Sequence, residues 1–207
     1  KWNPRQFTKI VSDAGITLTS LVPTQVYDLV KENLKAPPGL RAIVVGGGAL
    51  DADLYAQARA LGWPVLPSYG LTECSSQIAT AGLDSLKSTG YPRFEILPHA
   101  HIELREGRIF LKSTSLCRWI ATASADGEFT LEEPLREGWL PTNDLGDLNA
   151  AGLRVLGRRD DVIKGLGVLV SIPEVEHEFA RSAPDRGFCI CSVPDARAGW
   201  VLMLVID

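Results

Sequence analysis

Three short stretches carry side chains able to do chemistry: Ser68-Tyr69-Gly70-Leu71-Thr72-Glu73, Thr142-Asn143-Asp144, and Gly157-Arg158-Arg159-Asp160-Asp161. In the first, the Tyr69 ring can stack a base, the Thr72 hydroxyl can bond a phosphoryl oxygen, and the Glu73 carboxylate can hold a cation. The second offers another carboxylate, Asp144, in a turn, and the third a charged turn of both signs. Upstream of all three, Gly46-Gly47-Gly48 follows the apolar run from Arg41 to Val45 and precedes a helix opened by Asp51. The chain then returns through Val65 to Ser68, so the order is strand, glycine loop, helix, strand. In an open α/β sheet, ligands bind at the carboxyl ends of the strands, and both glycine-bearing loops fall there. The six-residue stretch is expected to join an apolar strand to a helix start, a junction suited to a nucleotide.

The elements that must hold these loops are legible from capping and periodicity. Residues 4 to 14 predict a helix capped by Asn3, with Pro4 at its first position, Phe7, Ile10, Val11 and Ala14 on one face, and Gly15 as its stop. Residues 16 to 22 predict a strand. Pro23 opens a second helix with a stripe of Val26, Leu29, Val30 and Leu34, ended by Pro37-Pro38-Gly39. The helix after Asp51 turns Leu54, Ala58 and Leu61 to the sheet and stops at Gly62. Strands separated by such helices require crossover connections and a parallel sheet. After about Gly82, runs such as His101-Ile-Glu-Leu-Arg and Gly107-Arg-Ile-Phe-Leu-Lys predict antiparallel β structure, with Arg105-Glu106-Gly107 as a tight hairpin. Beyond Gly157 the pattern predicts a hairpin, a helix opened by Pro173, and two apolar strands, Phe188 to Val193 and Val201 to Ile206. The fold class is thus α/β, a parallel sheet with helices over residues 1–83, a β-rich subdomain over 84–156, a charged turn at 157–161 to which the resemblance given below assigns a hinge, and an α+β unit from 162 to 207.

The chain has 207 residues, 45% hydrophobic and 22% charged, enough to bury a core. A formal net charge of −4 argues against a general nucleic-acid partner, which needs a basic footprint. No apolar run has the length of a membrane span and no signal peptide is visible, so the expected location is cytoplasmic. Cys74, Cys117, Cys189 and Cys191 lack paired metal spacing; Cys189 and Cys191, two apart in an apolar run, are expected to point to one buried face. His99, His101 and His177 have no partner at zinc-ligand spacing. Lys1 in place of an initiator Met gives the expectation of a piece of a larger protein.

Four ordered motifs carry a resemblance. Ser68 to Glu73 resembles the Tyr-Gly-x-Thr-Glu signature of the adenylate-forming superfamily of acyl-CoA and aryl-CoA synthetases. Gly46-Gly47-Gly48-Ala49-Leu50 resembles its Gly-Gly-Ala-x-Leu turn. Trp139 to Asp147 is similar to its Trp-x-x-Thr-Gly-Asp-Leu-Gly stretch, and Gly157 to Lys164 to its Gly-Arg-x-Asp-x-x-x-Lys hinge. Within the superfamily, Ser20-Leu21-Val22-Pro23-Thr24-Gln25 together with Ser-Tyr-Gly-Leu-Thr-Glu looks closest to the o-succinylbenzoate-CoA synthetases of menaquinone synthesis.

The resemblance implies an ATP-dependent ligase that joins a carboxylic acid to AMP and passes the acyl group to CoA. It assigns Thr72 to the α-phosphate, Glu73 to Mg²⁺, Tyr69 and Gly70 with Gly47 and Gly48 to the adenine slot, and Asp144 to the ribose hydroxyls. Arg158 would approach ribose and phosphates, Asp160 would be the hinge of the swinging small domain, and Gly167 would line the path of the CoA arm. Ser20, Thr24, Gln25, Ser75, Ser76 and Gln77 are the candidates for the acid pocket, and their polarity favours an aromatic or polar acid over a fatty chain. Two features depart from the family: Asn143 stands where glycine is usual, and neither the upstream phosphate loop nor the late lysine of relatives is present, so this segment alone is not expected to turn over. A solvated charged turn accounts for Arg159 and Asp161, and a hairpin bulge accounts equally for Gly167. The alternatives are a generic acyl-CoA or aryl-CoA synthetase, or a non-catalytic nucleotide-binding module of the same fold. A nicotinamide-dependent dehydrogenase fails on spacing, because Asp51 stands where its third glycine is required.

Overall fold

The computed structural model describes residues 1–124, 126–165, 168–183 and 187–206. In chain order its elements are α1 (Pro4–Asp13), β1 (Leu18–Leu21), α2 (Pro23–Lys31), β2 (Ala42–Val45), α3 (Ala52–Ala60), β3 (Val65–Leu71), β4 (Ser76–Thr80) and β5 (Glu95–Ile96). They continue with β6 (Ala100–Arg105), β7 (Arg108–Ser113), β8 (Ile120–Ala123), β9 (Phe129–Glu132), β10 (Leu140–Asn149) and β11 (Gly152–Arg158). The last are β12 (Val162–Gly165), β13 (Val168–Ser171), α4 (Ile172–Ser182), β14 (Phe188–Asp195) and β15 (Gly199–Ile206).

The first sheet has the order β1-β2-β3-β4-β5. Its first three strands are parallel and the last two antiparallel. The helices begin where cap chemistry dictates. Asn3 Oδ1 accepts from Gln6 N at 2.8 Å, and Asp51 Oδ1 accepts from Asp53 N and Leu54 N at 2.8 and 3.1 Å. Each such cap contributes about 1 kcal/mol to its helix. At α2 the reach is reversed: Gln25 Oε1 accepts from Val22 N at 3.0 Å.

Alternation along the strands sorts their side chains to two cores. Leu21, Ile43, Val45 and Val65 pack with Val26, Leu29, Tyr55, Ala58 and Trp63 under the helices. Ala42 and Leu66 belong instead to a core shared with Ile102, Ile109, Leu111, Leu140 and Leu153 of the second sheet, whose order is β11-β10-β7-β6, and Tyr69, although in phase with Val65, joins that core from the end of β3. The first sheet is therefore a middle layer, covered by helices on one face and by a sheet on the other. Phe94 and Leu153 exchange backbone hydrogen bonds of 2.8 and 2.9 Å and stitch the two sheets at one edge.

Several expectations need correction. The six-residue stretch does not end at a helix start: β3 runs to Leu71, a single 3-10 turn covers Thr72–Cys74, and β4 returns antiparallel. Ile10 is half exposed while Val11 carries the buried stripe of α1, and Tyr55 rather than Leu54 is the sealed residue of α3, edge-on to Tyr91 at 5.1 Å. The third sheet, β13-β12-β15-β14, carries α4 on one face, where Phe179 meets Phe188 at 4.7 Å. Cys189 and Cys191 share a face, as expected, but an exposed one, because Ile190 takes the covered side. Burial pushes the Cys74 thiol up to about 11, with Glu73, Cys117 and Asp144 adding to the shift. Alkylation of the folded protein at pH 8, followed by peptide mass spectrometry, should therefore label Cys189 and Cys191 first and Cys74 last. Among the described residues no helix is long and apolar enough to cross a membrane.

Candidate functional site

The parallel strands end at one edge, where the glycine loop follows β2 and the end of β3 carries Tyr69 to Asp144. Val45 pairs with Pro67, so Ser68 to Leu71 overhang the parallel ladder and pair only with β4. Ser68 Oγ donates to Val45 O at 3.0 Å and ties the overhang back. That hydroxyl also dictates Gly46, where a Cβ would come within 2.8 Å of Ser68 Oγ. Gly47 is required for a different reason, its φ of +80°, whereas a Cβ on Gly48 would make only an ordinary contact, 3.7 Å from Pro23. The glycine loop thus lies against Val22 and Pro23, between β1 and α2.

At Gly70 the overhang and β4 approach so closely that a Cβ would sit 1.8 Å from Ser76 O. The ladder slips there, between Tyr69 and Gly70. The connecting turn places Ser75 at φ 58° and Ser76 at φ 119°, conformations that side chains other than glycine's adopt at a cost of about 1–3 kcal/mol each. Two bonds to the segment before β8 hold it: Ser75 Oγ to Ser115 O at 3.0 Å and Cys117 N to Glu73 O at 2.7 Å. The turn exposes Thr72, Ser75 and Ser76 and leaves Glu73 half-buried.

The second carboxylate comes from an irregular stretch of β10. Pro141 pairs with Phe110 and Leu145 with Arg108, so β10 has two residues more than β7 in that interval and Thr142 to Asp144 bulge inward. Thr142 Oγ1 donates to Ile109 O at 2.8 Å and accepts from Asp144 N at 3.1 Å. Asp144 is only 7% exposed and Thr142 5%. Tyr69, 9% exposed, donates its hydroxyl to Asp144 Oδ2 at 2.5 Å, joining stretches 75 residues apart. Burial, and then the neighbouring carboxylate, raise the Tyr69 phenol well above its ordinary pKa, so it remains a donor.

Asn143, on the outer side of the same bulge, has two partners. Its Oδ1 accepts from Arg108 at 3.2 Å and its Nδ2 donates to Asp160 Oδ2 at 2.8 Å. Arg158 reaches the same Asp160 oxygen at 3.3 Å, and Arg108 Nε donates to Thr142 O. Arg158 and Asp160 are about half exposed, so their pairing alone stabilises little. Asn143→Ala should accordingly cost no more than about 1 kcal/mol of stability while speeding amide exchange over residues 158–161, an effect measurable by hydrogen–deuterium exchange.

The fold thus brings Tyr69 to Asp144, Asn143 to Arg158 and Asp160, and the glycine loop to the start of α2. Ser20 and Thr24 are exposed near that start, and no hydrogen bond or ion pair links them to Ser75 or Ser76. Gln25 is taken up by the cap of α2, and Gln77 accepts through its backbone from His99 Nε2 at 3.1 Å. Gly167 lies outside the described residues. Among the described residues no cluster of three His, Cys, Asp or Glu side chains could hold a metal ion alone. Arg108 had no sequence signal of its own; Thr142 was legible only as part of its motif stretch, and nothing in the charged turn from Arg158 to Asp161 showed that Asn143 would bond Asp160.

A family model for AMP-binding enzymes matches residues 1–107. The chain is 34% identical over 172 residues to a 2-succinylbenzoate–CoA ligase of Bacillus subtilis (strain 168), with 78% of this chain and 35% of that protein covered. Against the 2-succinylbenzoate–CoA ligase of Escherichia coli (strain K12) it is 30% identical over 190 residues, covering 90% and 39%. Among solved structures it is similar to o-succinylbenzoate CoA synthetase from Bacillus subtilis in complex with the acyl-adenylate intermediate OSB-AMP, with a TM-score of 0.78 and 27% identity over 100% of this chain and 44% of that one. The same protein in complex with ATP and magnesium ion gives a TM-score of 0.75 at 27% identity, again over 100% and 44%. The chain therefore spans less than half the length of these relatives.

Proposed function

Since the chain belongs to the AMP-binding enzyme family, we propose that the protein is a cytoplasmic AMP-forming acid–CoA ligase of the o-succinylbenzoate type. A substrate carboxylate oxygen attacks the α-phosphorus of ATP and expels pyrophosphate; the thiol of CoA then attacks the acyl carbon and releases AMP. The observation that carries this reading is the bond from Tyr69 to Asp144, which puts an aromatic ring and a buried carboxylate side by side at the carboxyl edge of a parallel sheet.

In this reading Asp144 accepts the ribose hydroxyls. Gly47, Gly48, Tyr69 and Gly70 border the adenine, and the exposed Thr72 hydroxyl bonds the α-phosphate. The half-buried Glu73 fits Mg²⁺, which is usually held by one or two carboxylates together with substrate phosphates and water, so a full protein cage is not needed. When bound, the ion neutralises phosphate charge developing in the transition state. Arg158 supplies positive charge at the same edge, and Asp160 belongs to the turn on which a small domain, residues 162–207, changes pose about a hinge at 157–161. Residues 1–83 and 84–156 form the two parts of the larger domain. Ser20, Thr24, Ser75 and Ser76 supply the polar side of the acid pocket, and Gly167 borders the path of CoA.

Pyrophosphate release by the full-length protein, measured over a panel of acids with and without CoA, tests this. o-Succinylbenzoate is expected to give release, and CoA to give the thioester. Release with benzoates or fatty acids alone would move the substrate within the class. Binding of AMP with no release for any acid would favour a nucleotide-binding module of the same fold.

A further inference from the structure

Asp144 is a nearly buried carboxylate that has no cationic partner among the described residues. Such a group is costly to bury unless its acceptor capacity is filled. Its surroundings supply one side-chain donor, the Tyr69 hydroxyl on Oδ2, and its main chain is fixed separately through Asp144 N, Thr142 Oγ1 and Ile109 O. Oδ1 is not among the sealed, unpartnered polar atoms, which among the described residues are Tyr55 Oη, Arg59 Nε and Ser85 Oγ. The carboxylate is therefore anchored at one oxygen and open at the other. An aspartate side chain has two torsions, and a bond to one oxygen at 2.5 Å from a ring locked in the core fixes both.

We propose that Tyr69 is a positioning residue for ribose recognition: its hydroxyl holds Asp144 Oδ2 so that Oδ1 and the remaining lone pair of Oδ2 face two neighbouring sugar hydroxyls. This rests on the reading of Asp144 as the ribose carboxylate. It gives Tyr69 two separable tasks, since the ring borders the base while the hydroxyl aims the carboxylate. Discrimination between ribose and deoxyribose then depends on an oxygen that never touches the nucleotide. A freely rotating Asp144 would spread its acceptors over several rotamers and would accept water as readily as a diol.

Calorimetric titration of the full-length protein with AMP and with 2′,3′-dideoxy-AMP separates the two tasks. The unmodified protein should prefer AMP. Tyr69→Phe keeps the ring and its packing, and should lower affinity for AMP about tenfold, the weight of one hydrogen bond to a charged group, while leaving dideoxy-AMP affinity unchanged. Thermal melts of the variant report its folding. 3-Fluorotyrosine at position 69, a stronger donor of nearly the same shape, should raise the preference instead of lowering it. The proposal is overturned if Tyr69→Phe retains the full preference, or weakens both nucleotides equally as a packing defect would. Should the unmodified protein bind both nucleotides alike, or neither, the assignment of Asp144 to the ribose fails, and the role given to Tyr69 fails with it.

Discussion

Gly70→Ala should lower the melting temperature by roughly 10 °C, or prevent folding, although the change adds one methyl group to an exposed position. That methyl would sit 1.8 Å from Ser76 O, 2.6 Å from Ser76 C and 2.9 Å from Gln77 Cα, all backbone atoms that no rotamer change can move. Relief requires β3 and β4 to separate where their ladder already slips, breaking hydrogen bonds in a sheet that is the middle layer of the fold. A cost of about 3 kcal/mol or more follows, and a domain of this size loses about 2–4 °C per kcal/mol. Gly48→Ala is the matched control: its Cβ would meet Pro23 at 3.7 Å, an ordinary contact, and it should melt within about 2 °C of the parent. Differential scanning calorimetry of the two variants decides the matter; equal melting temperatures would show that the turn is far more pliant than its geometry implies.

Asp144→Ala should have the opposite profile, losing the nucleotide and keeping the fold. Two hydrogen bonds from ribose hydroxyls to a carboxylate are worth about 1.5–3 kcal/mol each, so AMP affinity should fall at least about a hundredfold. For stability the terms oppose. Tyr69 loses its acceptor and is left with a buried hydroxyl, a penalty of about 1–3 kcal/mol, but the cost of holding a carboxylate at 7% exposure disappears. The net change should lie within about 2 kcal/mol. Equilibrium dialysis with AMP, paired with urea denaturation, reads both quantities. A variant that still binds AMP tightly would remove Asp144 from the site.

The parts of the architecture written in local chemistry were readable before the fold was known. Asn3 and Asp51 cap the helices they were expected to cap, Pro23 opens α2, and Glu106-Gly107 makes the hairpin between β6 and β7 with both residues at positive φ, 53° and 77°. What escaped was decided by tertiary contact. Thr72-Glu73-Cys74 reads equally well as the first turn of a helix. Cys117 N on Glu73 O and Ser75 Oγ on Ser115 O, with partners some forty residues away, hold it as a hairpin turn instead. The face chosen by Cys189 and Cys191 follows from which side of β14 received α4, and their apolar neighbours in sequence are symmetric about that choice. Motif spacing located Tyr69 and Asp144 separately, but nothing in it could show that one donates to the other.

Both halves of the candidate site sit where a strand is out of step with its neighbour, β3 at Tyr69/Gly70 and β10 between Pro141 and Leu145. Side chains alternate along a strand, so losing or gaining one residue there turns every following side chain to the other face. A library of single-codon deletions should therefore show its sharpest intolerance in these two short windows, while deletions in the exposed turn at 126–128 are absorbed. Any attempt to transplant this recognition into another scaffold must carry the mismatched partner strands along with the ring and the carboxylate.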